Sequence, residues 1–332
     1  MKSKFILTFL LISVGTSVLL GWGMWGHQHI NRAAVFALPE EMRVFFFNHI
    51  DFITESSTIP DLRKYSLNDE AEGPRHFIDV EDFGLPFDSL PLSPEAAKLR
   101  YDNKTLKAYG SLPWHIQEMM TKLTEAMKKN RRNEILFLAA DLGHYIGDAH
   151  MPLHTSSNYD GQKTGQRGIH SCWEAQLPEY YGKHYNFNVG EAIYVDNVQK
   201  ATWSVIRESH ALADDMLNTE KQVRAGFTEE TLFSRDPEGK PIKNMFGKNV
   251  FSVEYTKRFH ESMNNMVERQ MRKSVKCLAD FWYTAWVNAG KPELLGLDDP
   301  DLTSRNKREY KRQLNIYRSG KLTGFKADKE YP

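Results

Sequence analysis

The sequence predicts an all-α protein with a single main domain. Apolar residues recur at three- and four-residue steps through most of the chain, which is the period of helices that bury one face. No segment sustains an apolar/polar alternation, and no strand-like run exceeds a few residues. Polar or Pro- and Gly-rich stretches separate the periodic ones, and no internal repeat is evident.

Taken in order, the chain of 332 residues opens on Met1-Lys2-Ser3-Lys4 and an apolar run over 5–20. A charged start followed by an apolar segment slightly short for a membrane span reads as a signal peptide. Residues 1–21 are expected to be removed, with cleavage after Gly21 leaving Trp22 as the new terminus. The mature protein would then be exported, to the periplasm or the medium, with 22–300 as its folded domain. Residues 27–38 read as a helix that turns Ile30, Ala33, Ala34 and Phe36 inward. Pro39 introduces a second helix over 41–53, at a position where proline is tolerated. Ile59-Pro60-Asp61 is a break, 75–79 a short apolar run, and 84–92 Pro-rich and irregular. Helical patterns resume over 93–109 and 112–129 and again from Arg132, where Ile135, Leu136, Leu138, Ala139, Leu142, Tyr145 and Ile146 form one face. Pro152 stops that helix. A polar loop with three glycines spans 155–169, followed by helical patterns over 170–181 and 189–217, a polar excursion over 218–249, and a long helical pattern over 251–289 with room for one break. The segment 301–332 carries nine Lys/Arg against four Asp/Glu and reads as a solvated helix with a frayed end, a charged tail.

Lys and Arg number 43, as do Asp and Glu, so no global field steers a polyanion. The two cysteines, Cys172 and Cys277, permit at most one disulfide, which excludes a disulfide scaffold.

The chemistry concentrates around the central stretch. His144 and Asp148 lie four apart and share a helical face, and His154 arrives just past the Pro152 stop. An imidazole and a carboxylate on one face, with a second imidazole beyond the stop, is a way to build a zinc site. His170 and Glu174 form a second pair at the same spacing. With the Trp22 α-amino group, His27, Asp61 and His76 the candidate ligands number nine, and they hold five of the twelve histidines. His29, His49, His115, His150, His184, His210 and His260 read as ordinary. Cys172 falls off the face shared by His170 and Glu174 and is read as no ligand. Asp79, three after His76, is either an acceptor that orients that ring or a turn residue.

The order Trp-Gly-x-x-Gly-His, Asp after a break, His-Phe-Ile-Asp, His-x-x-Gly-Asp-x-x-x-Pro-Leu-His and His-x-x-Trp-Glu resembles one superfamily. It comprises the bacterial zinc-dependent phospholipases C and the single-strand zinc nucleases of fungi and plants. The resemblance implies three zinc ions. Asp61, His76, His144 and Asp148 would hold the first, and His154, His170 and Glu174 the second. The third would take the amino nitrogen and carbonyl oxygen of Trp22 with His27, and share Asp148 as a bridge. It further implies phosphodiester hydrolysis in which Asp61 and Asp148 are catalytic: water activated at Asp148 attacks phosphorus, and Asp61 accepts its proton.

Glu174 is similar to the phospholipases, whereas the Trp22-to-His27 start and Trp173 are similar to the nucleases. On Glu174 and the balanced charge, a phospholipid substrate is favoured, with single-stranded nucleic acid as the alternative. A non-catalytic zinc-binding protein is the second alternative. A nucleic-acid substrate calls for cations and aromatic rings near the site, for which Arg63, Arg75, Tyr145 and Tyr159 are the candidates. No obligate protein partner is implied, and a monomer is expected.

Overall fold

The computed structural model describes residues 23–84, 86–244 and 247–327. Trp22 and the expected signal peptide lie outside these residues. The fold is all-α, as the periodicity predicts: among the described residues the β-type pairings are isolated bridges.

The helix Arg132–His150 runs through the middle of the molecule, and every residue from Leu142 to His150 is buried. A helix buried all round needs neighbours on every side. Leu112–Lys128 precedes it across a short connection, in which Asn130 takes the left-handed backbone (φ 52°). The N-terminal helix Gly23–Ala37 crosses it at Gly143, where a Cβ would overlap the Asn31 amide. That amide donates to Ala140 O at 3.0 Å and to Ile53 O at 3.1 Å, so the close crossing is held by hydrogen bonds as well as by packing. On the far side, Met266–Asn288 supplies Trp282, whose indole N–H donates to Ala139 O at 3.2 Å.

The carbonyls at a helix C-terminus lack intrahelical donors, and Pro152 has no N–H to offer. Ser209 Oγ, from Val198–Arg224, donates to Ala149 O at 2.7 Å, and Gln270 Nε2 donates to His150 O at 2.8 Å. The end of the central helix is thereby fixed by two other helices, and the site is built there.

The structure departs from the sequence expectation in identifiable ways. The helix expected over 41–53 is two, Glu40–Asn48 and Ile50–Glu55, broken at His49, whose ring pairs with Asp298 at 2.7 Å. The 93–109 pattern is also two helices, because Tyr101 is extended and Asp102 caps Asn103–Tyr109 by accepting from Thr105 N. Residues preceding Val198 do not form a helix; Ile193 N and Val195 N donate instead to the side chains of Asp280 and Thr284. The 251–289 pattern breaks once, at Asn264 and Asn265 with φ of 49° and 59°, conformations asparagine tolerates. The polar excursion contains a small antiparallel arm with bridges Phe233↔Phe251, Arg235↔Pro241 and Lys243↔Asn249.

The described part of the charged tail is packed rather than frayed. Helix Pro300–Arg318 buries Leu314 and Tyr317, Tyr317 stacks on Phe36 at 5.9 Å, and Leu322 and Ala327 are buried beyond it. Three-residue spacing puts Leu314 and Tyr317 on one face, which anchors an otherwise polar helix. No helix among the described residues is long and apolar enough to cross a membrane.

Candidate metal centre

The eight described candidate ligands come from six segments and converge at the end of the central helix. His27 lies on Gly23–Ala37, Asp61 on Ile59–Tyr65, and His76 on the 3-10 turn Gly73–His76. His144 and Asp148 come from the central helix, and His154 from the 3-10 turn that Pro152 begins. His170 and Glu174 flank a switch into a single π-helical turn, Cys172–Gln176, a distortion that recurs at functional sites.

One group surrounds Asp148 Oδ2, which lies 3.0 Å from His76 Nδ1 and 3.2 Å from His144 Nε2. Those two nitrogens are 3.0 Å apart, and Asp61 Oδ1 stands 3.7 Å and 3.9 Å from them. The other oxygen, Asp148 Oδ1, faces His27 Nε2 at 3.6 Å. Asp148 therefore presents each oxygen to a different imidazole group, as a bridging carboxylate must. His27 stacks on His144 at 3.9 Å, and also groups with Asp61 and His144, a set the sequence did not indicate. A second group joins His154 Nε2, His170 Nε2 and Glu174, with separations of 3.2, 3.3 and 3.0 Å.

The outward ring nitrogens explain how these side chains are held. Nδ1 of His144 donates to Ser57 O at 2.8 Å, that of His154 to His76 O at 2.7 Å, and that of His170 to Tyr159 O at 2.7 Å. A nitrogen facing a carbonyl carries the proton, so each Nε2 turns a lone pair inward. Backbone acceptors of this kind fix the tautomer of metal-binding histidines.

The residues fit zinc. Two imidazole lone pairs facing one another at 3.2 Å repel unless a cation lies between them. Ligand atoms 2.0–2.1 Å from a tetrahedral zinc are separated by about 3.3 Å, close to the edges of both groups. Asp61 Oδ2, Asp148 Oδ1 and Glu174 Oε2 are buried without a hydrogen-bond partner. The donors are nitrogen and oxygen, which zinc accepts.

The electrostatics agree with a site that attracts positive charge. Burial opposes a charge on His144, but Asp148 and Asp61 outweigh it and lift the imidazole to about 9. Burial likewise opposes the Asp148 and Glu174 carboxylates, yet the facing imidazoles hold both well below the usual carboxylate range. For His27, burial and then His144 push the imidazole well down.

Several expectations need correction. Arg63, Arg75 and Tyr145 are engaged by carboxylates of the chain itself. Arg63 Nε and Arg75 Nη1 bind Glu72 Oε2 at 2.9 and 3.0 Å, Arg63 Nη2 binds Asp141 at 2.7 Å, and the buried Tyr145 hydroxyl donates to Glu72 Oε1. Asp79 does not hydrogen-bond the His76 ring; Glu72 faces that ring instead, with Oε1 3.5 Å from Nε2. Glu72 was missed although it stands four before His76, the spacing that singled out His144 and Asp148. Lys64 was missed too: its ammonium sits 4.8 Å from the Tyr65 ring centre, and Tyr65, Asp61 and Asp148 together raise its pKa despite burial. Cys172 is a buried free thiol outside the ligand groups. Other histidines have structural partners, such as Ile146 O for His150 and Thr155 O for His210, and His184 is exposed.

The fold is all-helical, and its buried, closely spaced imidazoles and carboxylates form a candidate metal centre. The S1/P1 nuclease family profile matches residues 22–285, so the chain belongs to that family, a phosphodiesterase of this superfamily. It is 23% identical to nuclease S1 of Aspergillus oryzae over 207 residues, 57% of this chain and 67% of that one. Among solved structures, the alpha-toxin of Clostridium perfringens (avian strain SWCP) superposes with a TM-score of 0.47 at 15% identity, covering 83% of this chain and 66% of the toxin. The alpha toxin of Clostridium absonum gives 0.40 at 14% identity, covering 86% and 68%.

Proposed function

We propose that this protein is an exported hydrolase of phosphodiester bonds that works with three zinc ions and takes single-stranded nucleic acid as its substrate. The convergence of eight donor side chains from six segments on one buried cluster carries the reading. Family membership supports the nucleic-acid substrate, as do two half-exposed rings beside the cluster, Tyr65 at 49% and Tyr159 at 52%. Bases stack on such rings without regard to sequence. Phospholipid is the second reading, favoured by Glu174, which resembles the phospholipases. The family match beginning at residue 22 supports a mature chain that starts at Trp22, one residue before the helix that carries His27.

Bound zinc supplies Lewis acidity, activating water near neutral pH and drawing charge from phosphoryl oxygens. The chain's own residues arrange the rest. His170 has a side chain 22% exposed, whereas His144 and Asp148 are fully buried, so the phosphate enters on the His154–His170–Glu174 side. Asp61 holds an oxygen with no hydrogen-bond partner and accepts the proton of the attacking water. Lys64, three residues after Asp61 on the same helix, carries a cation that Asp61 and Asp148 favour, and it counters the negative charge that grows on the phosphoryl group. The loop 155–169 holds His170 through Tyr159 O and shapes the mouth.

The test is N-terminal sequencing and metal analysis of the exported protein, followed by turnover of single-stranded DNA and of a phosphatidylcholine mimic. A chain starting at Trp22, with about three zinc ions, that cuts DNA supports the proposal. Cleavage of the lipid alone reverses the substrate assignment. Full zinc loading with no turnover of any phosphate ester would leave a non-catalytic zinc protein.

A further inference from the structure

We propose that Glu72 is a positioning residue for the metal centre: its buried carboxylate accepts a hydrogen bond from the Nε2–H of His76, which keeps the proton on Nε2 and so turns the Nδ1 lone pair of that ring into the cluster. The inference rests on the metal-centre reading above and names the group that completes it.

His76 is the exception among the site histidines. His144, His154 and His170 donate through Nδ1 and turn Nε2 inward, whereas His76 turns Nδ1 inward, 3.0 Å from both His144 Nε2 and Asp148 Oδ2. Its Nε2 is buried and has no hydrogen-bond partner within bonding distance, so it needs an acceptor. Glu72 Oε1 faces that nitrogen at 3.5 Å. Without such an acceptor, the ring can place its proton on Nδ1 and donate to Asp148, which leaves no lone pair for a metal.

Glu72 is itself held in place. It is fully buried, its Oε2 receives Arg63 and Arg75, and its Oε1 receives the Tyr145 hydroxyl. Arg63 continues to Asp141, so two carboxylates and two guanidiniums form a closed, neutral set. A buried carboxylate stays charged only with such partners. The set explains why Arg63, Arg75 and Tyr145 lie near the cluster yet are turned away from it: they hold Glu72, and Glu72 holds His76. Carboxylate acceptors behind metal-binding histidines typically alter metal affinity by about 10- to 100-fold.

The experiment uses full-length mature protein labelled with 15N-histidine, compared with Glu72→Gln. Long-range 1H–15N correlation of the zinc-loaded protein is expected to show His76 protonated on Nε2, and His144, His154 and His170 protonated on Nδ1. Glu72→Gln is expected to lose the single His76 tautomer and to bind one zinc about 10- to 100-fold more weakly in chelator competition, with unchanged far-UV circular dichroism. Wild-type His76 protonated on Nδ1, or a Glu72→Gln protein with the parent's tautomer and zinc affinity, overturns the proposal. If Glu72→Gln does not fold, Tyr145→Phe replaces it, because it frees a lone pair on Glu72 and leaves every charge in place. The His76 Nε2 proton should then shift downfield, and an unmoved signal counts against the proposal. Failure of the metal-centre reading looks different: the wild-type protein then binds no zinc, while the Nε2 proton of His76 in the metal-free protein still reports the pairing with Glu72.

Discussion

Replacing Asp148 by Asn tests the bridging arrangement with almost no change in shape. Asp148 Oδ2 stands 3.0 Å from His76 Nδ1 and 3.2 Å from His144 Nε2, while Oδ1 faces His27 Nε2 at 3.6 Å. An amide has one oxygen with lone pairs and an NH2 group that cannot ligate. One of the two groups therefore loses its ligand, and both lose the shared negative charge. The group of His154, His170 and Glu174 keeps all three of its donors. The variant is expected to lose two of three zinc ions after gel filtration into metal-free buffer, read by mass spectrometry. The rate on a chromogenic phosphodiester should fall by about 10³ or more, equivalent to about 4 kcal/mol of transition-state stabilisation. A variant that keeps its full zinc complement, or stays within tenfold of the parent rate, would refute the bridging role.

Other outcomes follow from the same geometry. Gly143→Ala gains about 1 kcal/mol of helix propensity but forces a methyl into the Asn31 amide and strains its two hydrogen bonds. Overpacking of this kind costs about 1–3 kcal/mol and each lost bond about 1, so urea unfolding should show a net loss of about 2–4 kcal/mol; a variant as stable as the parent contradicts the close crossing. Burial, then Asp82 and Glu81, raise Asp79 to about 7. A carboxyl whose folded pKa exceeds its unfolded value near 4 (roughly 3.9) contributes stability below that pH and loses it as pH rises through about 7. Asp79→Asn should thus be about 1–3 kcal/mol more stable than the parent at pH 8, and that advantage should vanish by pH 4, measured by thermal melts of both proteins across that range. Lys64→Met should slow phosphodiester cleavage about 10- to 100-fold with zinc content unchanged; metal loss in this variant would make Lys64 structural instead.

Much of the site was legible because its parts obey local rules. The four-residue spacings of His144 with Asp148 and of His170 with Glu174 announce shared faces in any helix, and Pro152 announces the stop that brings His154 round. The helical class was legible for the same reason, since apolar periodicity is a property of neighbours in sequence. Where it misled, at 189–197 and at His49, side chains from distant segments offered the backbone or the ring a better partner than the local helix.

Sequence alone therefore determined the helical class, the types of the candidate ligands and their order. Tertiary structure decided which way each group faces. Arg63, Arg75 and Tyr145 read in sequence as substrate contacts, yet only their position relative to Glu72 shows that they are already engaged. The same holds for His76, whose inward nitrogen is set by a carboxylate behind it and an aspartate in front, and for Asp148, whose two oxygens serve different groups. A residue's identity fixes what it can donate, but the direction in which it donates depends on contacts between segments far apart in the chain, and those exist only once the helices have packed.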